Sequence, residues 1–110
     1  MALHEMTFSF PPANPFRTIP GDWSHTGVVG SGDLEILLRQ ADLGGSVEIR
    51  VVTPVRGFDA VWEKILGRFI AESGLGDVHI QINDNNATPF VVNLRLKQAL
   101  LEALEGEGTP

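Results

Sequence analysis

Midway along this chain the hydrophobic pattern changes period, and that change constrains the fold more than any other feature. Before it, apolar residues recur at every second position. Leu34, Ile36 and Leu38 alternate with Glu35, Leu37 and Arg39, and Val47, Ile49 and Val51 alternate with Glu48 and Arg50. Period two is the signature of strands with one buried face. From Phe58 the apolar residues fall instead at i, i+3, i+4, i+7, i+8 and i+11: Phe58, Val61, Trp62, Ile65, Leu66 and Phe69. Asp59, Glu63, Lys64, Arg68 and Glu72 fill the opposite side, and Gly74 is placed to end an amphipathic helix. A chain that carries both periods in succession has to lay helices on a sheet.

The turn signals set the order. Thr26 to Val29 reads as a short strand, and Gly30-Ser31-Gly32-Asp33 as a four-residue turn into the strand that begins at Leu34. Ala41 to Gly45 is a loop before the strand at Val47, so three consecutive antiparallel strands are expected ahead of the first helix. Val78 to Asn83 alternates again. Asp84-Asn85-Asn86 then forms a turn, with Thr88 as N-cap and Pro89 in the first helical position. Val92, Leu96, Ala99, Leu100 and Ala103 line one face of the closing helix. The expected architecture is α+β, a two-layer sandwich. A small mixed sheet carries two helices on one face, in the order β-β-β-α-β-α, with a right-handed crossover from Ser46 to Asn83 if the strands it joins are parallel.

The ends read differently. Pro11, Pro12, Pro15 and Pro20 interrupt residues 1–24, which are expected to form an arm with at most a short strand at Met6 to Phe10, able to pack on a partner as easily as on its own domain. Residues 25–105 make the domain, and 106–110 a frayed tail. At 110 residues there is room for one core only.

Composition removes whole classes of function. Eight Lys and Arg against fourteen Asp and Glu give a net charge of -6, which argues against nucleic acid or an anionic membrane as partner. There is no cysteine, so disulfides, thiolate catalysis and Cys-type metal sites are excluded. No apolar run approaches the roughly 20 residues that span a bilayer. The start has neither the basic nor the apolar region of a signal peptide, so a soluble, cytoplasmic protein is expected. His4, His25 and His79 are scattered without metal-ligand spacing, His79 being outward on an alternating strand. Asp84-Asn85-Asn86 lacks the remaining positions of a calcium loop, and Gly30-Ser31-Gly32 is neither a dinucleotide fingerprint nor a nucleophile elbow. Trp62 and Phe69 read as core rather than as a ligand wall. What remains is Ser31, a serine between two glycines on a tight turn. No histidine in the sequence is placed to arm it, which speaks against self-activated catalysis, yet its hydroxyl is open to a separate modifying enzyme. An ordinary turn serine stays open as an alternative.

Three blocks carry a resemblance. GSGDLEILL (Gly30 to Leu38), TPVRGFDAVWEKILGRF (Thr53 to Phe69) and INDNNATPFVVNLRLKQALLEA (Ile82 to Ala103) occur in the order found in the acyl carrier (delta) subunit of biotin-independent malonate decarboxylase, which the chain resembles from about Gly30 to Ala103. The citrate lyase carrier is similar in layout but reads more like ESSD at its modified serine. The chain departs from the pattern at Phe90, where a small residue is usual, and in its longer proline-rich start.

The resemblance implies an acyl carrier domain over residues 25–105, non-catalytic in itself. Ser31, supported by Gly30, Gly32 and Asp33, would be joined by a phosphodiester to a phosphoribosyl-dephospho-CoA arm whose thiol carries acetyl or malonyl. Its implied partners are the acyl-transferase (alpha) and decarboxylase (beta, gamma) subunits, a prosthetic-group transferase and a malonyl transferase. Two other readings stand beside it: an unmodified interaction or scaffold domain, and the carrier of a citrate-lyase-like complex. An ordinary phosphopantetheine carrier does not fit, since that is an all-helical bundle with an Asp-Ser-Leu motif absent here.

Overall fold

A computed structural model describes residues 3–105. Its elements run β1 (His4–Phe10), β2 (Trp23–Gly27), β3 (Asp33–Gln40), β4 (Val47–Thr53), α1 (Asp59–Ser73), β5 (Val78–Asn85) and α2 (Pro89–Glu105). The fold is the expected α+β sandwich of a mixed sheet and two helices, with one more strand before the first helix. The five strands lie in the order β1-β4-β5-β3-β2.

The sheet corrects the expected run of three antiparallel strands. β2 and β3 do pair antiparallel, but β3 and β4 do not touch as neighbours, because β5 lies between them. It runs antiparallel to β3 and parallel to β4. The β3–β4 loop leaves a strand's width by wrapping around Asp77, which precedes β5. The Asp77 carboxylate accepts the N–H groups of Leu43 (3.1 Å) and Gly45 (2.7 Å). Its own backbone pairs with Ala41 and Ser46 (2.9 Å each). Alternation identifies a strand with one buried face but carries no information about its neighbour.

β1 is the added strand. It pairs antiparallel with β4 along its whole length, from His4 opposite Thr53 to Phe10 opposite Val47. Met6 is buried and Phe8 and Phe10 pack against the core. The proline-rich stretch behind it is held as well: Ile19 is buried, the Arg17 N–H donates to the Gly74 carbonyl (2.9 Å), and the Gly76 N–H donates to that of Arg17 (2.7 Å). Much of the expected arm is therefore packed on its own domain. The expected tail, 106–110, lies outside the described residues.

β2 also sits earlier than its β-branched residues suggest. It ends at Gly27, whose φ of 86° and close approach to the Leu34 carbonyl leave no room for a side chain, so Val28 and Val29 project beyond it as exposed residues. The helices match their end signals. Gly74 closes α1 with φ 69° and an N–H to the Ile70 carbonyl (3.0 Å). Thr88 accepts the Val91 N–H at 3.3 Å ahead of Pro89.

Both helices cover the sheet face that carries Met6, Leu34, Ile36, Leu38, Val47, Ile49, Val51, Val78, Ile80 and Ile82, α2 lying over β2 and β3. From the helices, Trp62, Leu66, Phe69, Val92, Leu96 and Ala99 complete the core. Among the described residues no helix is long and apolar enough to cross a membrane.

If β1 is integral to the domain, truncating Met6 has a core-like cost. Met6→Ala should lower stability by about 2 kcal/mol, on the order of 10 °C in Tm, read by thermal and urea unfolding. An arm merely resting in solvent would leave Tm unchanged.

Candidate functional site

The Ser31 turn is built by its neighbours rather than by Ser31 itself. The Asp33 N–H donates to the Gly30 carbonyl at 3.0 Å, closing a β-turn. Gly32 takes the third position with φ 75° while Ser31 keeps an ordinary φ, the signature of a type II turn, which needs glycine there. The Gly32 N–H then donates to the carbonyl of Asn85 at 2.8 Å, tying the turn to the end of the central strand. Nothing lies within 4 Å of where a side chain on Gly32 would project. The Ser31 side chain is exposed, and its hydroxyl has no hydrogen-bond partner among the described residues.

Asp33 anchors the far side. Its carboxylate accepts the Leu34 N–H (2.7 Å) and a two-pronged contact from the Arg95 guanidinium on α2, Nε–H at 2.9 Å and a terminal N–H at 2.5 Å. Arg95 also donates to Gln98 at 2.8 Å. The hydrogen bonds from Arg95 and then from Leu34 hold the Asp33 carboxyl below the usual carboxylate range. The same contact with Asp33 raises the Arg95 guanidinium. Ser31, Gly32 and Asp33 thereby face Val91, Leu94, Arg95 and Gln98 across an open groove.

Among the described residues, no histidine or carboxylate hydrogen-bonds the Ser31 hydroxyl. His25 pairs with Glu35 at 3.0 Å and His4 with Asp59 at 3.1 Å, while His79 stands on the helix-free face of the sheet. Of the expected site residues, Gly30, Ser31, Gly32 and Asp33 come together in one turn. Arg95 and its neighbours on α2 were not foreseen. They lie on the solvent side of the helical stripe, and no local signal pairs Asp33 with a residue sixty-two positions away.

A second feature sits at the same end of the sheet. The N-terminal ends of α1 and α2 enclose a cavity of about 370 Å³, lined by Phe58, Val61, Trp62, Ile65 and Val92 among others. Phe58 and Val61, placed on the core stripe by their spacing, are 51% and 40% exposed here. Trp62 is both core and wall. At the floor the buried Asp84 carboxylate accepts the Thr53 hydroxyl (2.8 Å) and the N–H groups of Asn86 (3.2 Å) and Ala87 (3.0 Å).

Fold and turn together define a small α+β sandwich domain that carries an exposed serine on a pinned turn at one end of its sheet. A family model described as the malonate decarboxylase delta subunit, an acyl carrier protein, matches residues 22–103. The chain is 57% identical over 105 residues to a malonate decarboxylase acyl carrier protein of Malonomonas rubra, covering 96% of this chain and 93% of that one. To the protein of the same description from Xanthomonas campestris pv. campestris it is 49% identical, covering 94% and 97%. Among solved structures it is similar to a chain in the crystal structure of a Pseudomonas malonate decarboxylase hetero-tetramer in complex with malonate. The TM-score there is 0.78 at 34% identity, over 91% of this chain and 98% of that one. The chain belongs to the malonate decarboxylase delta subunit family.

The Asp33–Arg95 contact is testable by pH. A carboxyl whose folded pKa is depressed stabilises the fold above its unfolded pKa, and that contribution is lost as pH falls through the folded value. Arg95→Gln should therefore be less stable than the native chain by about 1 kcal/mol at pH 7, with the gap closing below about pH 4. Urea unfolding at both pH values reads it, and a gap independent of pH would refute the assignment.

Proposed function

We propose that this chain is the acyl carrier subunit of a malonate decarboxylase, bearing a phosphoribosyl-dephospho-CoA arm on Ser31. The observation that carries the reading is an exposed hydroxyl, unpartnered among the described residues, on a pinned turn in a chain that has no sulfur nucleophile of its own. The residues present fit such a group. The open space beside Gly32 leaves room for a bulky substituent, and the groove beyond it, lined by Val91, Leu94 and Gln98, gives that substituent a surface to lie against. When bound, the arm supplies a thiol that carries acetyl or malonyl as a thioester.

The chain's own residues root and present the arm. The Asp33–Arg95 contact and the Gly32–Asn85 hydrogen bond hold the turn in place, so a long substituent on Ser31 would be rooted at a fixed point, from which a tether raises effective concentration at the sites within its reach. Around that point Val28, Val29 and Leu94 are exposed apolar residues, an arrangement suited to transient docking on other proteins. The partners in this reading are the acyl-transferase and decarboxylase subunits, together with the prosthetic-group transferase and the malonyl transferase. The chain itself catalyses nothing, and its place is cytoplasmic.

Intact mass decides the matter. Chain produced with its modifying transferase should gain the arm, and Ser31→Ala should fold equally well and gain nothing. Neutral hydroxylamine should then remove only an acyl mass and expose one thiol in this cysteine-free chain, because a thioester is cleaved readily while an anionic phosphodiester resists nucleophiles. Modification that persists in Ser31→Ala, or an acyl ester on Ser31 itself, overturns the reading. The purified arm-bearing chain alone should release no carbon dioxide from malonate. Release with the partners shown absent would make it an enzyme.

A further inference from the structure

The cavity between the helix ends has no part in holding the Ser31 turn, yet it sits beside it. Asn85, whose carbonyl holds the Gly32 N–H, is followed directly by Asn86 on the cavity rim. The walls are apolar, and Phe58 and Val61 at the mouth stand half-open to water, as the lining of a binding site does rather than a closed core. A pocket of about 370 Å³ matches a small ligand rather than a helix or strand.

Its electrostatics select by charge. No Lys, Arg or His lines it. Arg56, in the loop nearby, is exposed and outside the lining, and His4 is engaged with Asp59. The two helix N-termini that open on the cavity already have carboxylates, Asp59 in the first turn of α1 and Asp84 on the approach to α2, so neither dipole presents an unmatched positive end. An anion entering would lose its water beside a buried carboxylate and gain no counter-charge. A short neutral acyl group would exchange water for apolar contacts.

We propose that this cleft is a storage site for the neutral acyl thioester end of the arm, accepting the acetyl form and refusing the malonyl form. The proposal rests on the carrier reading above and adds a regulation to it. The acetyl thioester is sheltered from water between turnovers, while exchange to malonyl adds a carboxylate that keeps the group outside, where partner subunits meet it.

The test uses the full chain bearing the arm in acetyl, malonyl and free-thiol forms, each verified by intact mass. Two quantities are read: the rate at which neutral hydroxylamine releases the thiol, and Trp62 fluorescence in a Trp23→Phe background, where Trp62 is the remaining indole. Ala87→Leu fills the cleft, and Phe58→Ala, at a half-exposed position, opens its wall without a large folding cost. For a cleft occupied nine-tenths of the time, the acetyl thioester should be cleaved about tenfold more slowly in the native chain than in Ala87→Leu. Phe58→Ala should fall between them. The malonyl thioester should show one rate in all three chains, and Trp62 emission should move for the acetyl form alone. A chain that takes up no arm overturns the carrier reading and this inference with it. With the arm in place, equal acetyl rates in native and variant chains overturn this inference alone. Equal protection of the malonyl form does so too, as does a Trp62 signal that moves only when partner subunits are added.

Discussion

The Asp84 carboxylate is the joint on which both ends of the functional surface hang. It is buried at the end of β5, where an uncompensated charge would be strongly destabilising, and three donors compensate it. Thr53 ties it to the end of β4, and the Asn86 and Ala87 N–H groups tie it to the entry of α2. Thr53 in turn accepts the Val55 N–H at 3.1 Å, fixing how the chain leaves β4 toward α1. One side chain thus sets the end of the parallel pair and the starting direction of both helices. The next residue, Asn85, holds the Ser31 turn. The turn and the cleft are neighbours because they share this joint.

The two faces of the sheet divide the labour. One is buried under both helices and supplies the core. The other carries a hydrogen-bonded belt that crosses all five strands. His25 meets Glu35, Asn83 donates to Glu35 (2.7 Å), Gln81 donates to Asn83 (3.0 Å), and Arg50 donates to both Gln81 (3.3 Å) and Glu5 (2.6 Å). Bonds this exposed contribute little stability individually. Their alignment restrains side chains on neighbouring strands against one another. It also engages polar groups along the edge strands β1 and β2, where open backbone invites unwanted pairing.

In the proposed carrier reading, a serine without a nearby base is an advantage. An armed hydroxyl would react by itself, whereas an unarmed one would wait for an enzyme that brings its own base. In that reading the domain has to provide a fixed root and a clear approach. The rigid elements sit just outside Ser31, in Asp33, Arg95 and Asn85, and the residue itself is left open.

Much of this was legible in order along the chain. Period and turn chemistry placed both helices, their caps at Gly74 and Thr88, four of the five strands, the α+β class and the exposed serine, because each depends on residues a few positions apart. The blocks around Ser31, Phe58 and Pro89 also carried the family. What depends on residues far apart was decided only by the tertiary structure. β5 enters between β3 and β4, since alternation marks a buried face and not a neighbour. His4–Phe10 becomes a full edge strand, because β4 supplies its partners and the prolines that follow govern only the chain beyond it. Arg95 reaches Asp33 from the solvent side of α2, where the helical pattern reads as surface. Phe58 and Val61 become the mouth of a cleft lined across from them by Thr88, Pro89 and Val92, and spacing along one helix cannot say where its neighbour stops covering it.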